Sequence, residues 1–141
     1  MEEQVIEEGY AELRINITPN LHQRRGSVHG GVLASLIDGA VGSAVRSTLS
    51  QDQVSTTVEL KINYLRPAKG SYLIAKAKLS HRGRTLAVGQ AEIVNPDGKL
   101  VAMGTATYMI FILIKFTEEC SFEYRAHFGL EPMKNSHLLI S

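Results

Sequence analysis

The stretch from His29 to Thr48 constrains this chain most, because it is the one segment with a sustained helical period. Val32, Leu36, Ala40 and Ala44 recur every four residues, and Leu33, Ile37, Val41 and Val45 repeat the pattern one step on. The two rows form an apolar stripe wider than a surface helix uses. Such a helix must be covered on most of its circumference. Glycines stand at 31, 39 and 42. Each costs a helix interior about 1 kcal/mol relative to alanine, so their presence points to close packing against the helix.

The cover has to come from strands. Ala11, Leu13, Ile15 and Ile17 alternate with polar residues ahead of the helix, and Thr18-Pro19-Asn20 ends that run. After the helix, Val58, Leu60, Ile62 and Tyr64 alternate with Glu59, Lys61 and Asn63. Leu73 to Leu79, Leu86 to Val94 and Leu100 to about Ile112 follow as further strands, with a turn or bulge at His81-Arg82-Gly83-Arg84. Asn95-Pro96-Asp97-Gly98 carries the residue preferences of a type I turn. The order is strand, one long buried helix, then an antiparallel meander, which makes the fold class α+β. The segment from about Lys115 to Ser141 has no clear period and carries no legible chemistry. The chain therefore divides into a domain at 1–113 and a tail at 114–141.

Composition removes several function classes. The chain has 141 residues, 44% hydrophobic and 21% charged, as expected for one globular domain. A formal net charge of +1 is too small for a dedicated nucleic-acid binder. The single cysteine, Cys120, cannot form an internal disulfide, which favours a reducing compartment and a cytoplasmic location. The histidines at 22, 29, 81, 127 and 137 show no metal-ligand spacing, so no metal site is expected. The start, MEEQVIEEGY, does not read as a signal peptide. The longest apolar run, Tyr108 to Ile114, falls well short of the roughly 20 residues of a membrane helix.

Chemistry is concentrated at the helix. His29-Gly30-Gly31 stands where it begins. A helix start presents free backbone N–H groups and partial positive charge, and glycine lets a ligand approach closely. That suits an oxyanion hole. Asp38 is the only acid between Val28 and Gln51, and it shares a helix face with Gly31, Ser35, Gly39 and Gly42. Two readings stand for it at this level. It is either a carboxylate bonded locally, or an acting group on a strip of small side chains. Gly30 and Asp38 are eight residues apart. That is about 12 Å along a helix axis, whereas both groups must lie about 3 Å from one reacting carbonyl. One helix cannot supply both. Two antiparallel copies can, so a two-fold dimer with two shared sites is expected.

At these residues the sequence resembles the hotdog thioesterase superfamily, in its phenylacetate-degradation-type branch. The resemblance is carried by HGGVLASLIDGAVG (29–42), VELKINYLRPA (58–68), HRGRTLAVGQAEI (81–93) and NPDGKLVAMGTATY (95–108), and it covers most of the chain. It implies a hotdog fold, in which a long central helix is wrapped by a curved antiparallel sheet of five to six strands. It also implies hydrolysis of acyl- or aroyl-CoA thioesters without a cofactor, by a homodimer or homotetramer. By position, the resemblance makes Asp38 the nucleophile or the general base and Gly30 the oxyanion-hole donor. Gln23 matches an Asn or Gln that orients water or thioester, and Thr57 a Ser or Thr hydroxyl, with Thr56 one register step away. His29 has two readings, catalytic group or shaper of the helix start. Gly31, Arg66, Arg82, Gly83 and Arg84 are candidates for binding substrate. The three arginines suit CoA phosphates, against the plainer reading of a solvated turn. Two alternatives compete with hydrolysis: a non-catalytic acyl-CoA-binding module, and a dehydratase acting on hydroxyacyl thioesters. The Gly-Gly at 30–31 fits the thioesterase pattern better than the dehydratase one.

Overall fold

A computed structural model describes residues 1–24 and 26–113, so the proposed tail at 114–141 lies outside the described residues. The alternating segments become strands β1 (Glu2–Glu7), β2 (Tyr10–Asn16), β3 (Gln53–Tyr64), β4 (Tyr72–Arg82), β5 (Leu86–Val94) and β6 (Leu100–Ile112), with one helix α1 (Gly30–Arg46) between β2 and β3. The strands form one sheet in the order β1-β2-β4-β5-β6-β3. Each neighbouring pair is antiparallel. The chain leaves β2, runs through α1, and enters the sheet again at the far edge as β3. It then fills the interior through β4, β5 and β6.

The helix packs against all six strands. Leu36, Ile37, Ala40, Val41, Ala44 and Val45 are fully buried, as the two apolar rows require. The sheet meets them with small side chains: Ala11, Ala75, Ala77, Ala87, Ala91, Ala102 and Ala106 are all buried. Small inward residues let the helix sit close to the strands, and Leu73, Ile93 and Val101 fill the remaining space. At Gly89 a Cβ would lie 2.6 Å from Val41 Cγ1, and at Gly104 a Cβ would lie 2.5 Å from the Lys61 carbonyl oxygen.

The structure departs from the sequence expectation at the first strand. β1 carries Glu2, Glu3, Gln4 and Glu7 exposed, and only Val5 is half-buried. It has no apolar alternation to announce it. It forms by pairing with β2 across a turn whose Gly9 adopts φ +73°, and Glu3 reaches the helix to accept from Ser43 and Arg46. The sheet thus has six strands, the upper end of the expected range. The Asn95–Gly98 turn closes as expected, with the Gly98 N–H donating to the Asn95 carbonyl at 2.9 Å. No helix among the described residues is long and apolar enough to cross a membrane.

At the other edge, β3 has 12 residues. Among the described residues, β6 is its only neighbour in the sheet. Val58 and Tyr64 are each 53% exposed there.

The Gly104 contact gives a direct test of this close packing. Gly104→Ala places a methyl group against backbone that cannot move without parting β3 from β6. It is expected to lower stability by about 1–3 kcal/mol in urea unfolding. An unchanged midpoint would show that the two strands do not approach as described.

Candidate active site

The helix start is held by a side-chain cap. His29 precedes the first helical residue, and its Nδ1 accepts the Gly31 N–H at 3.0 Å. The His29 carbonyl takes the Val32 N–H at 3.0 Å. The Tyr64 hydroxyl donates to the Gly30 carbonyl at 3.1 Å. That leaves the Gly30 N–H, which has no acceptor among the described residues. The geometry therefore separates the two glycines. Gly30 offers a free amide at the positive end of α1, whereas the amide of Gly31, a candidate for substrate binding, is already engaged. His29 thus caps the helix start through Nδ1.

Eight residues along the helix, Asp38 lies half-buried on the strip with Gly31, Ser35, Gly39 and Gly42, which is the least covered side of α1. Its Oδ1 accepts from the Thr57 hydroxyl at 2.9 Å and from the Tyr108 phenol at 2.8 Å. Thr57 in β3 and Tyr108 in β6 are ladder partners, and a bulge follows at once between Thr57 and Glu59. The bulge leaves Val58 unmatched, which re-aims the strand beside the site. Of the two neighbouring threonines, Thr57 is half-buried and meets Asp38, whereas Thr56 is exposed. Burial pushes the Tyr108 phenol far above its usual pKa; the nearby Thr57 hydroxyl offsets part of this, and the bond and charge of Asp38 raise it further. Tyr108 therefore stays protonated and can only donate to the carboxylate.

Tyr108 was not singled out from sequence. Its one signal is chemical. It takes an inward position in register with Ala106 and Ile110, and a buried phenol needs a partner.

Two hollows flank the helix, one at each end of β3. A cleft of about 390 Å³ adjoins the helix start and is lined by Gln23, Gly30, Tyr64 and Arg66 among others. A second hollow of about 410 Å³ lies next along the helix from Asp38, which does not itself line it; it is lined by Gly39, Gly42, Leu49, Gln53, Val54 and Tyr108 among others, and Tyr108 is the residue that bonds Asp38. Within the first, the Gln23 side chain donates to Ser27 Oγ at 2.7 Å, which fixes it in its own loop. Arg66 bonds the Leu100 carbonyl and is exposed.

The arginine turn is split in its duties. Arg82 donates to Thr48 Oγ1 at 2.8 Å and to Gln53 Oε1 at 3.2 Å, and it also bonds the Gly83 carbonyl. It ties the end of β4 to the α1–β3 connection, with most of its donors engaged inside the chain. Gly83 closes the turn, donating to the Leu86 carbonyl at 2.8 Å. Arg84 is exposed at the same turn and has no side-chain partner among the described residues. The described residues bring no three His, Cys, Asp or Glu side chains together as a metal site.

A family model described as the thioesterase superfamily matches residues 25–102, a span that holds Gly30, Asp38 and Thr57. This chain belongs to the thioesterase superfamily. It is a thioester hydrolase with the hotdog fold. The thioesterase is 34% identical over 119 residues to the medium/long-chain acyl-CoA thioesterase YigI of Salmonella typhimurium, covering 74% of this chain and 77% of the relative. A Bacillus halodurans protein solved with CoA superimposes with a TM-score of 0.70 at 36% identity, over 71% of this chain and 66% of that one. A phenylacetic acid degradation-related protein from Ralstonia eutropha gives 0.73 at 32% identity, over 77% and 83% of the two chains.

The division of labour between the arginines can be measured. Arg82→Ala is expected to lower stability by about 1–2 kcal/mol in urea unfolding, because charged donors leave Thr48 and Gln53 unpaired. Arg84→Ala should shift it by less than about 0.5 kcal/mol. Equal effects would show that Arg82 holds nothing.

Proposed function

We propose that this thioesterase hydrolyses acyl-CoA at two identical sites of a two-fold dimer, each combining Asp38 and Thr57 of one subunit with Gly30 of the partner subunit. The observation that carries this is where the two hollows lie. The one beside Gly30 borders the segment from Tyr64 to Ala68, just past the C-terminal end of β3. The one beside Asp38 borders Gln53 to Ser55, at its N-terminal end. Pairing two β3 edges antiparallel sets the N-terminal end of one strand beside the C-terminal end of the other. Each hollow next to Asp38 then meets a cleft at Gly30 of the partner subunit. The same pairing covers a long edge strand that carries exposed Val58 and Tyr64, and it removes the roughly 12 Å separation that one helix imposes.

In this arrangement the thioester oxygen accepts the Gly30 N–H, and the positive end of the helix stabilises the charge that develops there. The Asp38 carboxylate either attacks the carbonyl carbon or takes a proton from the water that does. On the general-base path the C–S bond breaks as the CoA sulfur leaves with the electron pair and takes the proton that Asp38 removed from water, giving acid and free thiol. On the nucleophilic path the sulfur leaves with the electron pair and takes a proton from solvent, and a water molecule then hydrolyses the mixed anhydride formed on Asp38, releasing the acid and restoring the carboxylate. Gln23 orients water or thioester from the loop before the helix, and Arg84 and Arg66 attract the CoA phosphates. The hollow beside Asp38, at about 410 Å³, is of ligand-pocket size and receives the acyl group. The name of the Salmonella relative points to a medium or long aliphatic chain as substrate, and the Bacillus relative solved with CoA supports CoA as carrier.

A thiol-release assay tests this on short, medium and long aliphatic acyl-CoAs together with benzoyl-, hydroxybenzoyl- and phenylacetyl-CoA. Turnover is expected for at least one, highest for medium or long chains. Asp38→Asn should cut it by about 100-fold or more without unfolding the protein. Equal rates in parent and variant would remove Asp38 from the mechanism. CoA binding without turnover of any member would instead support a non-catalytic binding module.

A further inference from the structure

We propose that Tyr108 is a positioning residue for Asp38: its phenol and Thr57 together hold Oδ1, which leaves Oδ2 as the oxygen that acts on the substrate. The proposal rests on Asp38 being the acting carboxylate.

A carboxylate turns easily about its last torsion and can present either oxygen. Here two donors from two strands converge on one oxygen, Thr57 at 2.9 Å and Tyr108 at 2.8 Å. Among the described residues, Oδ2 has no such donor. The phenol also lies 2.7 Å from the Asp38 carbonyl, so its single proton has two acceptors in reach. The charged carboxylate is the stronger of the two, because charge-assisted bonds are roughly twice as strong as neutral ones. The carbonyl, in mid-helix, already serves the helix ladder.

The helix is shaped to admit this phenol. Gly42 lies one turn beyond Asp38, and a Cβ there would stand 2.7 Å from the Tyr108 hydroxyl oxygen. A glycine in the middle of a helix is unfavourable by about 1 kcal/mol, and the space it leaves is filled by that hydroxyl. Tyr108 is only 6% exposed, so water does not readily replace it. Burial and the neighbouring carboxylate hold its pKa far above the ordinary value, which keeps it a donor throughout the working range of pH. The clamp therefore keeps Asp38 aimed.

Three variants test this: Tyr108→Phe, Gly42→Ala and the two combined. Two quantities are read. One is the NMR chemical shift of the Asp38 side-chain carboxyl carbon in the ligand-free protein at one fixed neutral pH, and the other is kcat and KM on the best acyl-CoA. In Tyr108→Phe, the carboxyl resonance should move, because Oδ1 loses one of its two donors. The same variant should lower kcat about tenfold while KM stays nearly constant. Gly42→Ala should move the resonance and lower kcat in the same direction by pushing the hydroxyl aside. Adding it to Tyr108→Phe should change little more, since the oxygen it would meet is gone. A folded Tyr108→Phe with an unmoved resonance and an unchanged kcat overturns the proposal, as do additive effects in the double variant. If the phenylalanine variant does not fold, a folded Gly42→Ala with an unmoved resonance overturns it equally. Failure of the parent to hydrolyse any thioester would count against the hydrolytic function, while the carboxyl resonance still decides the role of Tyr108.

Discussion

Burial of α1 against the inner face of the sheet fixes everything else in this molecule. The helix is covered by six strands, and the side chains that meet it from the sheet are mostly alanine. One strip of α1 escapes full cover: Gly31, Ser35, Asp38, Gly39 and Gly42. Any chemistry the helix performs has to be done from that strip. The Gly30 amide, without an acceptor among the described residues, and a carboxylate eight residues later then lie about 12 Å apart on a rigid rod, which no side-chain rotation can shorten.

The second constraint is the path of the chain. By sending the connection after α1 to the far side of the sheet, the fold makes β3 an edge. The same strand carries Thr57 to Asp38 and borders both hollows. A dimer formed through this edge would therefore assemble the site and cover the exposed strand in one step. Assembly and activity would then depend on the same surface.

The parts legible in the sequence were those set by short-range periodicity and by single residues with few alternatives. Val32 to Val45 announced the helix, the Asn95–Gly98 run announced its turn, and Asp38 stood out as the lone acid of an apolar segment. The helix cap was half legible, since the position of His29 marks the helix start but not that its Nδ1 takes the Gly31 N–H. What escaped depended on pairing at long range. β1 has no apolar pattern of its own and exists because β2 offers it an edge. Tyr108 reaches Asp38 across 70 residues of sequence, and nothing local to TATYMIF marks which inward side chain will meet the helix at its one carboxylate. Arg82 is a candidate for phosphate by type and position, and its bonds to Thr48 and Gln53, 34 and 29 residues away in sequence, have no local signal.

The most direct measurement is of a mixed dimer made from two variants, each inactive by itself. Asp38→Asn removes the carboxylate. Gly30→Pro removes the amide proton at the first helical position, where proline is well tolerated. His29 before it is extended, with φ −63° and ψ 137°, the conformation a following proline requires. A purified dimer carrying one variant on each subunit has one site with both defects and one site with none. If each site is shared between subunits, this dimer should recover about half the activity of the parent. If it is as inactive as the two homodimers from which it was made, the carboxylate and the oxyanion donor act within one chain, and the shared site is wrong.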